Sequence, residues 1–180
     1  MSRPAATMLW TTEDFLAWER EQPERYEWDG ANVIAMTSAR LQHNAVIGNL
    51  YRAIYAQLPA GCRVFTQNVK LRAGEAIRYP DVVVACQPEF NLNADILEDA
   101  TAVVEVLSPS TARVDRVAKL ANYAHVPSLE AYLIVDPGRR HLELHRREAG
   151  QLIPAPAAGV DAELFGSVVI SIDDIYTDVL

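Results

Sequence analysis

The feature that most constrains the fold is a pair of apolar segments separated by a helical pattern. Residues 102–107 read AVVEVL and residues 131–136 read AYLIVD. Nearly continuous apolar runs of this length are typical of central strands that are buried on both faces of a sheet. Between them, residues 110–124 have a helical pattern that Ser110 or Thr111 can cap. The sequence therefore predicts two parallel strands joined by a right-handed helical crossover.

Further strands and helices precede and follow this unit. An Asp29-Gly30 dipeptide predicts a hairpin between two short strands. Helices are predicted over residues 12–21 and 38–58, and strands over residues 62–72, 76–86 and 139–146, with one or two more strands and a final helical turn in the tail. Since no linker divides the 180 residues, we expect a single domain, residues 1–180. Its predicted class is α/β of the mixed α+β kind, with a central mixed β-sheet flanked by helices.

Composition narrows the class of protein. The chain has no apolar run of eighteen residues, and its N-terminus lacks the basic start and long apolar stretch of a signal peptide. Its two cysteines, Cys62 and Cys86, are too few for a disulfide framework and lie in no metal-binding spacing. We therefore expect a soluble, reduced, cytoplasmic protein without a membrane segment.

The charge balance bears on the kind of partner. The net charge is −8, from 16 basic and 24 acidic residues. Tight, sequence-independent DNA binding depends on many contacts of Lys and Arg with phosphate, so this balance argues against that class. It is compatible with an enzyme that reaches a phosphate through a bound metal ion.

Two carboxylates occupy apolar strands. Asp81 follows Pro80 at the start of the apolar run VVVA, and Glu105 lies inside the AVVEVL segment. Placing an ionised carboxylate in such surroundings costs several kcal/mol unless a cation, a donor network or a metal compensates it. Together the two acids indicate a shared divalent cation such as Mg²⁺. Two alternatives stay open, in which Pro80-Asp81 is a turn at the start of the strand and Glu105 pairs with a buried arginine.

The helix after Glu105 supplies a third charged group. Asp115 and Lys119 are four residues apart and share a helix face, with Tyr123 one turn further. On its own the pair is typical of an exposed ion pair that contributes roughly 0.3–0.5 kcal/mol. Because the helix begins shortly after Glu105, Lys119 can also lean toward the carboxyl end of the strand, where open α/β sheets bind ligands.

Several motifs of the chain resemble those of a known nuclease superfamily and follow one another in the same order. Pro80-Asp81, Glu105-Val106-Leu107 and Lys119 are similar to the motif of the PD-(D/E)XK superfamily, whose fold is restriction-endonuclease-like. Over about residues 12–170 the chain more closely resembles the bacterial Uma-two family of restriction-endonuclease-like proteins. The segments that carry this resemblance are RYEWDG (25–30), Met36, His43, PDVVV (80–84), EVLSPST (105–111), Asp115, Lys119 and YLIVDP (132–137).

The resemblance implies an endonuclease that depends on Mg²⁺ or Mn²⁺ and hydrolyses phosphodiester bonds of a nucleic acid, above all DNA. It assigns Asp81 and Glu105 as metal ligands, with the Val106 carbonyl as a further ligand. A water bound to the metal would attack the phosphorus.

The resemblance also implies roles for residues beside the metal. Lys119 would orient or deprotonate the attacking water, or stabilise the transition state. Glu27 or His43 would supply an outer ligand or a proton relay. A homodimer would suit the cutting of two strands.

At one position the chain departs from the superfamily motif. Leucine stands at position 107, where the motif has a lysine. Lys119 is the implied replacement, because the other lysine, Lys70, lies on a different predicted strand. The alternative is a catalytically inactive nuclease-fold module for nucleic-acid or protein interaction, which holds its acids by internal pairing.

Overall fold

Short strands and a few helices make up the described part of the chain. The computed structural model describes residues 10–36, 39–108, 115–155 and 161–180. The elements of the N-terminal half are α1 (Thr12–Glu19), β1 (Tyr26–Trp28), β2 (Val33–Ala35), α2 (Leu41–Tyr55), β3 (Cys62–Thr66), β4 (Lys70–Ala73), β5 (Ala76–Arg78) and β6 (Val82–Cys86). Those of the C-terminal half are β7 (Ile96–Leu97), β8 (Ala102–Val106), a π-helical turn (Asp115–Lys119), α3 (Leu120–Tyr123), β9 (Ala131–Asp136), β10 (His141–Glu148), β11 (Gln151–Ala155), β12 (Asp161–Phe165), β13 (Val168–Ser171) and α4 (Ile172–Tyr176).

The two apolar segments are neighbouring strands at the centre of a six-stranded sheet. Its strand order is β11-β10-β9-β8-β6-β3. β8 and β9 run parallel, with Glu105 opposite Ile134, whereas the other described neighbours in this sheet are antiparallel. Every residue of β8 is buried. The predicted parallel strand pair and the mixed α+β class with a central mixed sheet are confirmed.

Helices and a hairpin cover the faces of this sheet. One face packs against α2, α4 and the β12–β13 hairpin, and α2 contributes apolar side chains at four-residue steps, Val46, Leu50 and Ile54. The other face packs against α3 and the residues that follow it. Because successive strand residues point to opposite faces, Glu105 lies on the α3 side of β8, between positions whose side chains face α2.

α1 packs against a second, five-stranded sheet, in which two of the strands are shorter than predicted. Its strand order is β2-β1-β5-β4-β7, and the predicted hairpin at Asp29-Gly30 and the N-terminal helix are both present. Residues 62–72 and 76–86, each predicted as one strand, are each divided between the two sheets. Gln67 adopts a positive φ of 52° after β3, and Pro80 lies between β5 and β6. Neither conformation continues a strand, since proline has no N–H to donate to the ladder.

The helix after β8 is less regular than predicted. Its described part begins with the π-helical turn over Asp115–Lys119 and continues as α3. The predicted caps Ser110 and Thr111 lie outside the described residues. π-helical turns inside helices are rare and frequently occur at functional sites.

The prediction of reduced cysteines is wrong. Cys62 and Cys86 form a disulfide that joins β3 to β6. The strand register places the two residues directly opposite each other, with their Cα atoms 4.0 Å apart. The tail also holds three strands, β11 to β13, instead of one or two. Among the described residues, no helix is long and apolar enough to cross a membrane.

Candidate active site

The predicted site residues meet in one cleft at the carboxyl end of β8. The cleft has a volume of about 890 Å³. Its lining includes all six residues predicted for the site, Glu27, His43, Asp81, Glu105, Val106 and Lys119. They come from β1, α2, the segment before β6, β8 and the π-helical turn, so the fold brings together residues that are up to 92 positions apart in sequence.

The register of two strands brings the acids together. β6 and β8 are antiparallel, and Val82 pairs with Val104. Continuing that register by one position places Asp81 across from Glu105. The Val106 backbone N–H donates a hydrogen bond of 2.8 Å to Asp81 Oδ2, which fixes the carboxylate at the end of β8.

His43 closes this end of the cleft from α2. Its Nε2 lies 2.9 Å from the Val106 carbonyl oxygen and 3.3 Å from Asp81 Oδ2. Because a carbonyl oxygen only accepts hydrogen bonds, Nε2 carries the proton in this arrangement. The predicted helical histidine is therefore in contact with both the Asp81 carboxylate and the Val106 carbonyl.

Glu105 is buried among groups that stabilise its negative charge. Its side chain is 3% exposed, and Lys119 Nζ lies 2.9 Å from Glu105 Oε1. The Tyr123 hydroxyl donates to the same oxygen at 2.6 Å. Burial raises the pKa of Tyr123 well above its usual value, and the charge of Glu105 raises it further. The hydroxyl therefore stays protonated and remains a donor.

Glu27 connects the site to a second buried cation. Arg78, which is fully buried, donates to Glu27 Oε2 at 2.9 Å. Lys119 Nζ is 3.5 Å from Glu27 Oε1. The Tyr79 backbone N–H also donates to Glu27 Oε1, at 3.0 Å. Two carboxylates and two cations thus compensate each other in the interior, as buried charges require.

The sequence reasoning missed Arg78 and its partner Asn122. The guanidinium donates to Asn122 Oδ1 at 3.0 and 2.6 Å, so Arg78 links β5 to α3. A signal was present, because Arg78 is a charged residue close to an apolar run, as Asp81 is. Arg78 pairs with Glu27, whereas Lys119 pairs with Glu105.

Two further ion pairs lie at the rim of the cleft. Arg116 pairs with Glu143 at 2.6 Å, and hydrogen bonds from this guanidinium lower the pKa of Glu143. Arg139 pairs with Asp136 at 2.9 Å. The side chain of Asp115 is outside the described part of the structure, so its predicted pairing with Lys119 stays a prediction.

The donor atoms at the floor of the cleft are oxygens. Asp81 and Glu105 provide carboxylates, and Val106 provides a carbonyl. Mg²⁺ binds through one or two protein carboxylates together with waters and substrate phosphate, so this donor set fits a magnesium-type ion. In the described ranges, no three His, Cys, Asp or Glu side chains are grouped as a metal site of their own.

Comparison with known proteins relates both sequence and fold to a nuclease family. Residues 12–171 match the family model Uma2, "Putative restriction endonuclease". The uncharacterized protein slr1290 of Synechocystis sp. is 31% identical over 138 residues, which are 75% of this chain and 73% of that protein. The uncharacterized protein sll1609 of the same organism is 30% identical over 169 residues, 89% of this chain and 94% of that protein. The crystal structure of "a putative nuclease belonging to DUF820" from Anabaena variabilis has a TM-score of 0.76 at 16% identity, and the match covers 95% of this chain and 99% of that chain.

Proposed function

The chain belongs to the Uma2 family of restriction-endonuclease-like proteins, and on that premise we propose that it is a metal-dependent endonuclease that hydrolyses phosphodiester bonds in DNA. The observation that carries the proposal is the position of Asp81 across from Glu105, with Lys119 Nζ 2.9 Å from the Glu105 carboxylate. Two acids and one cation at the floor of a single cleft are the groups that such hydrolysis needs.

Asp81 and Glu105 would hold Mg²⁺ or Mn²⁺, with the Val106 carbonyl as a further ligand. When bound, the ion would lower the pKa of a water and stabilise charge on the phosphate. His43 supports this arrangement from the side, because its Nε2 proton is shared between the Val106 carbonyl and Asp81. In our proposal His43 keeps both oxygens oriented toward the cleft.

Lys119 would act in place of the motif lysine. Leu107 is buried in the apolar cluster on the α3 side of the sheet. Lys119 brings an ammonium group to Glu105 from the following helix instead. An ammonium at this position can orient the attacking water and stabilise negative charge on the phosphate. Glu27 and Arg78 hold Lys119 and its surroundings in a fixed, nearly neutral network.

A cleavage assay tests the proposal. Supercoiled plasmid and single-stranded DNA are incubated with the wild type in Mg²⁺, in Mn²⁺ and in EDTA. We expect cleavage with either ion and none in EDTA. Asp81→Asn and Lys119→Met should lower the rate by at least about a hundredfold, since general acid–base and charge-stabilising groups contribute factors of this size. Glu163→Gln, a change of the same kind at an exposed ion pair with Arg146, is the matched control.

A second candidate function is a nuclease-fold module without catalysis that binds nucleic acid or protein. Internal pairing of both acids favours it, since Lys119 and Tyr123 contact Glu105 and His43 contacts Asp81. This candidate predicts no cleavage and no rise in melting temperature with Mg²⁺ or Mn²⁺. Metal-dependent cleavage by the wild type would exclude it.

The proposal extends to assembly and location. A homodimer would place two clefts on the two strands of a duplex, and sedimentation of the protein with and without DNA would test it. A cytoplasmic location would give the enzyme access to DNA, and fractionation of cells that express the tagged protein would test that.

A further inference from the structure

The charge of the cleft differs from that of the whole chain. Among the described residues, the cleft lining has four carboxylates and four basic side chains, whereas the chain has a net charge of −8. The basic side chains are Arg40, Arg116, Lys119 and Arg139. The described lining therefore carries no share of the excess of acids. A divalent cation held by Asp81 and Glu105 would make the cleft positive, and a positive cleft attracts a chain of phosphates.

Arg139 lies on the β9 side of the acids. β9 is parallel to β8 and next to it, with Val106 opposite Val135, so Asp136 ends β9 beside the acidic floor. One oxygen of Asp136 accepts from Arg139 Nε at 3.0 Å and lies 2.9 Å from Nη2. The Arg139 side chain is 78% exposed, and no described group hydrogen-bonds to its Nη1. Asp136 thus fixes one edge of the guanidinium and leaves N–H groups available to a ligand.

Arg40 lies on the other side of the acids, beside β6. It directly precedes α2, and its carbonyl oxygen accepts the Asn44 backbone N–H at 3.2 Å. Asn44 Oδ1 accepts from Gln67 Nε2 at 2.8 Å, and the Gln67 backbone N–H donates to the Asp81 carbonyl oxygen at 3.1 Å. These bonds attach the first turn of α2 to the start of β6. The Arg40 side chain is exposed and lines the cleft.

The two arginines therefore flank the acidic floor. In the six-stranded sheet β8 lies between β9 and β6, so Glu105 stands between the β9–β10 turn and the first turn of α2. A nucleic-acid strand with one phosphate at the acids continues in both directions, and its next phosphates come to these two sides. Arginine suits such a contact, because its planar fork binds a phosphate through two parallel hydrogen bonds.

We propose that Arg40 and Arg139 bind the phosphates that flank the cleaved phosphate, one on each side. The DNA strand then crosses the carboxyl end of β8 from the first turn of α2 to the β9–β10 turn. This assignment rests on the nuclease function proposed above, because the acids locate the cleaved phosphate, and it adds the path of the substrate. Contacts of this kind position a strand without reading its bases.

The salt dependence of DNA binding tests the assignment. Fluorescent single-stranded DNA of mixed sequence is titrated with protein at constant Ca²⁺ and at KCl concentrations from about 50 to 200 mM, and anisotropy gives the affinity. A gel checks that the DNA stays uncut. Each phosphate contact contributes about 0.7 to the slope of log affinity against log salt. Arg40→Gln and Arg139→Gln should each make the slope shallower by about 0.7, and the double variant by about 1.4.

Arginines outside the cleft lining provide matched controls. Arg140 directly follows Arg139 but pairs with Asp173, so Arg140→Gln removes the same charge from the same turn. Arg52 is also on α2, twelve residues and about 18 Å along the helix from Arg40. Arg140→Gln and Arg52→Gln should keep the slope of the wild type. All four arginines are exposed, and melting curves check that each variant is folded.

The outcomes distinguish the two proposals. If Arg40→Gln or Arg139→Gln leaves the slope unchanged, or if the two controls lower it as much, the phosphate assignment is overturned and the nuclease function is not. The predicted slopes without any cleavage in Mg²⁺ or Mn²⁺ would overturn the nuclease proposal alone. Absence of DNA binding by the wild type throughout the salt range would overturn both.

Discussion

Lys119 Nζ lies 2.9 Å from Glu105 Oε1, although the two residues are on different elements and fourteen positions apart. Both side chains are nearly inaccessible, at 7% and 3% exposure. The pair brings a lysine to Glu105 from a helix instead of from the strand that carries the acid. The widened π-helical turn ends at Lys119, and Tyr123, which also contacts Glu105, lies four residues further along the same helix.

Replacing Lys119 with methionine tests the energetic role of this pair. The variant keeps roughly the length of the side chain but removes the ammonium group that lies 2.9 Å from Glu105. Removing one partner of a buried pair destabilises a protein by about 3–5 kcal/mol. Urea unfolding should show a loss of this size. Adding Glu105→Gln to Lys119→Met should restore part of it, and a double variant no more stable than Lys119→Met would contradict the pairing.

Arg78 should matter for stability as much as Lys119 does. Arg78→Met removes the cation that compensates Glu27 and also breaks the link to Asn122. A loss of about 3–5 kcal/mol is expected on chemical denaturation. Arg78→Lys keeps the charge but loses the simultaneous contact of the guanidinium with Glu27 and Asn122. Its free energy of unfolding should therefore lie between those of the wild type and Arg78→Met. Equal stability of all three proteins would show that the buried network contributes nothing.

Tyr123→Phe should have an effect that depends on pH. At neutral pH it removes a hydrogen bond to a charged acceptor, which contributes about 1.5–3 kcal/mol. Burial, with the charge of Glu105, raises the pKa of Tyr123 in the folded protein, whereas the unfolded chain has the usual value of 10.0. A group with a raised folded pKa contributes its full stability below the unfolded pKa and loses it as pH rises further. The difference in free energy of unfolding between the wild type and Tyr123→Phe, measured by urea unfolding, should therefore be constant below about pH 9 and become smaller above about pH 10. A difference that stays constant up to about pH 11 would contradict the raised pKa of Tyr123.

Reduction of the disulfide should lower stability without changing the site. The bond joins residues separated by 24 positions, and closing a loop of that size contributes about 3 kcal/mol. Melting curves with and without a thiol reductant measure the difference, and Cys62→Ser with Cys86→Ser is the control that should not respond to reductant. Identical curves for the wild type would mean that the two sulfurs are not bonded in solution.

The central unit and the two acids Asp81 and Glu105 could be singled out because their signals are local, whereas Glu27, His43 and Val106 were selected only by the resemblance to the Uma-two family. A nearly continuous apolar run predicts a buried strand, and a carboxylate inside it, Glu105, indicates a functional or paired group. The same reasoning selected Asp81. What the sequence cannot show is the register, and it is the pairing of Val82 with Val104 that brings the two acids together.

The elements that were predicted incorrectly depend on long-range pairing. Residues 62–72 have the composition of one strand, but a turn at Gln67, where φ is 52°, separates β3 from β4, which belong to different sheets. Cys62 and Cys86 lie 24 positions apart with no spacing motif, so their disulfide follows from the β3–β6 register alone. Arg78 was missed for a similar reason, because its partners Glu27 and Asn122 lie on two other elements.

Calorimetric titration of Mn²⁺ tests whether Asp81 and Glu105 form one metal site. The proteins are the wild type, Glu105→Gln, Asp81→Asn and the surface control Glu163→Gln. We expect the wild type and Glu163→Gln to bind one ion, and the other two variants to bind none. No binding by the wild type, or binding that persists in both Glu105→Gln and Asp81→Asn, would contradict it.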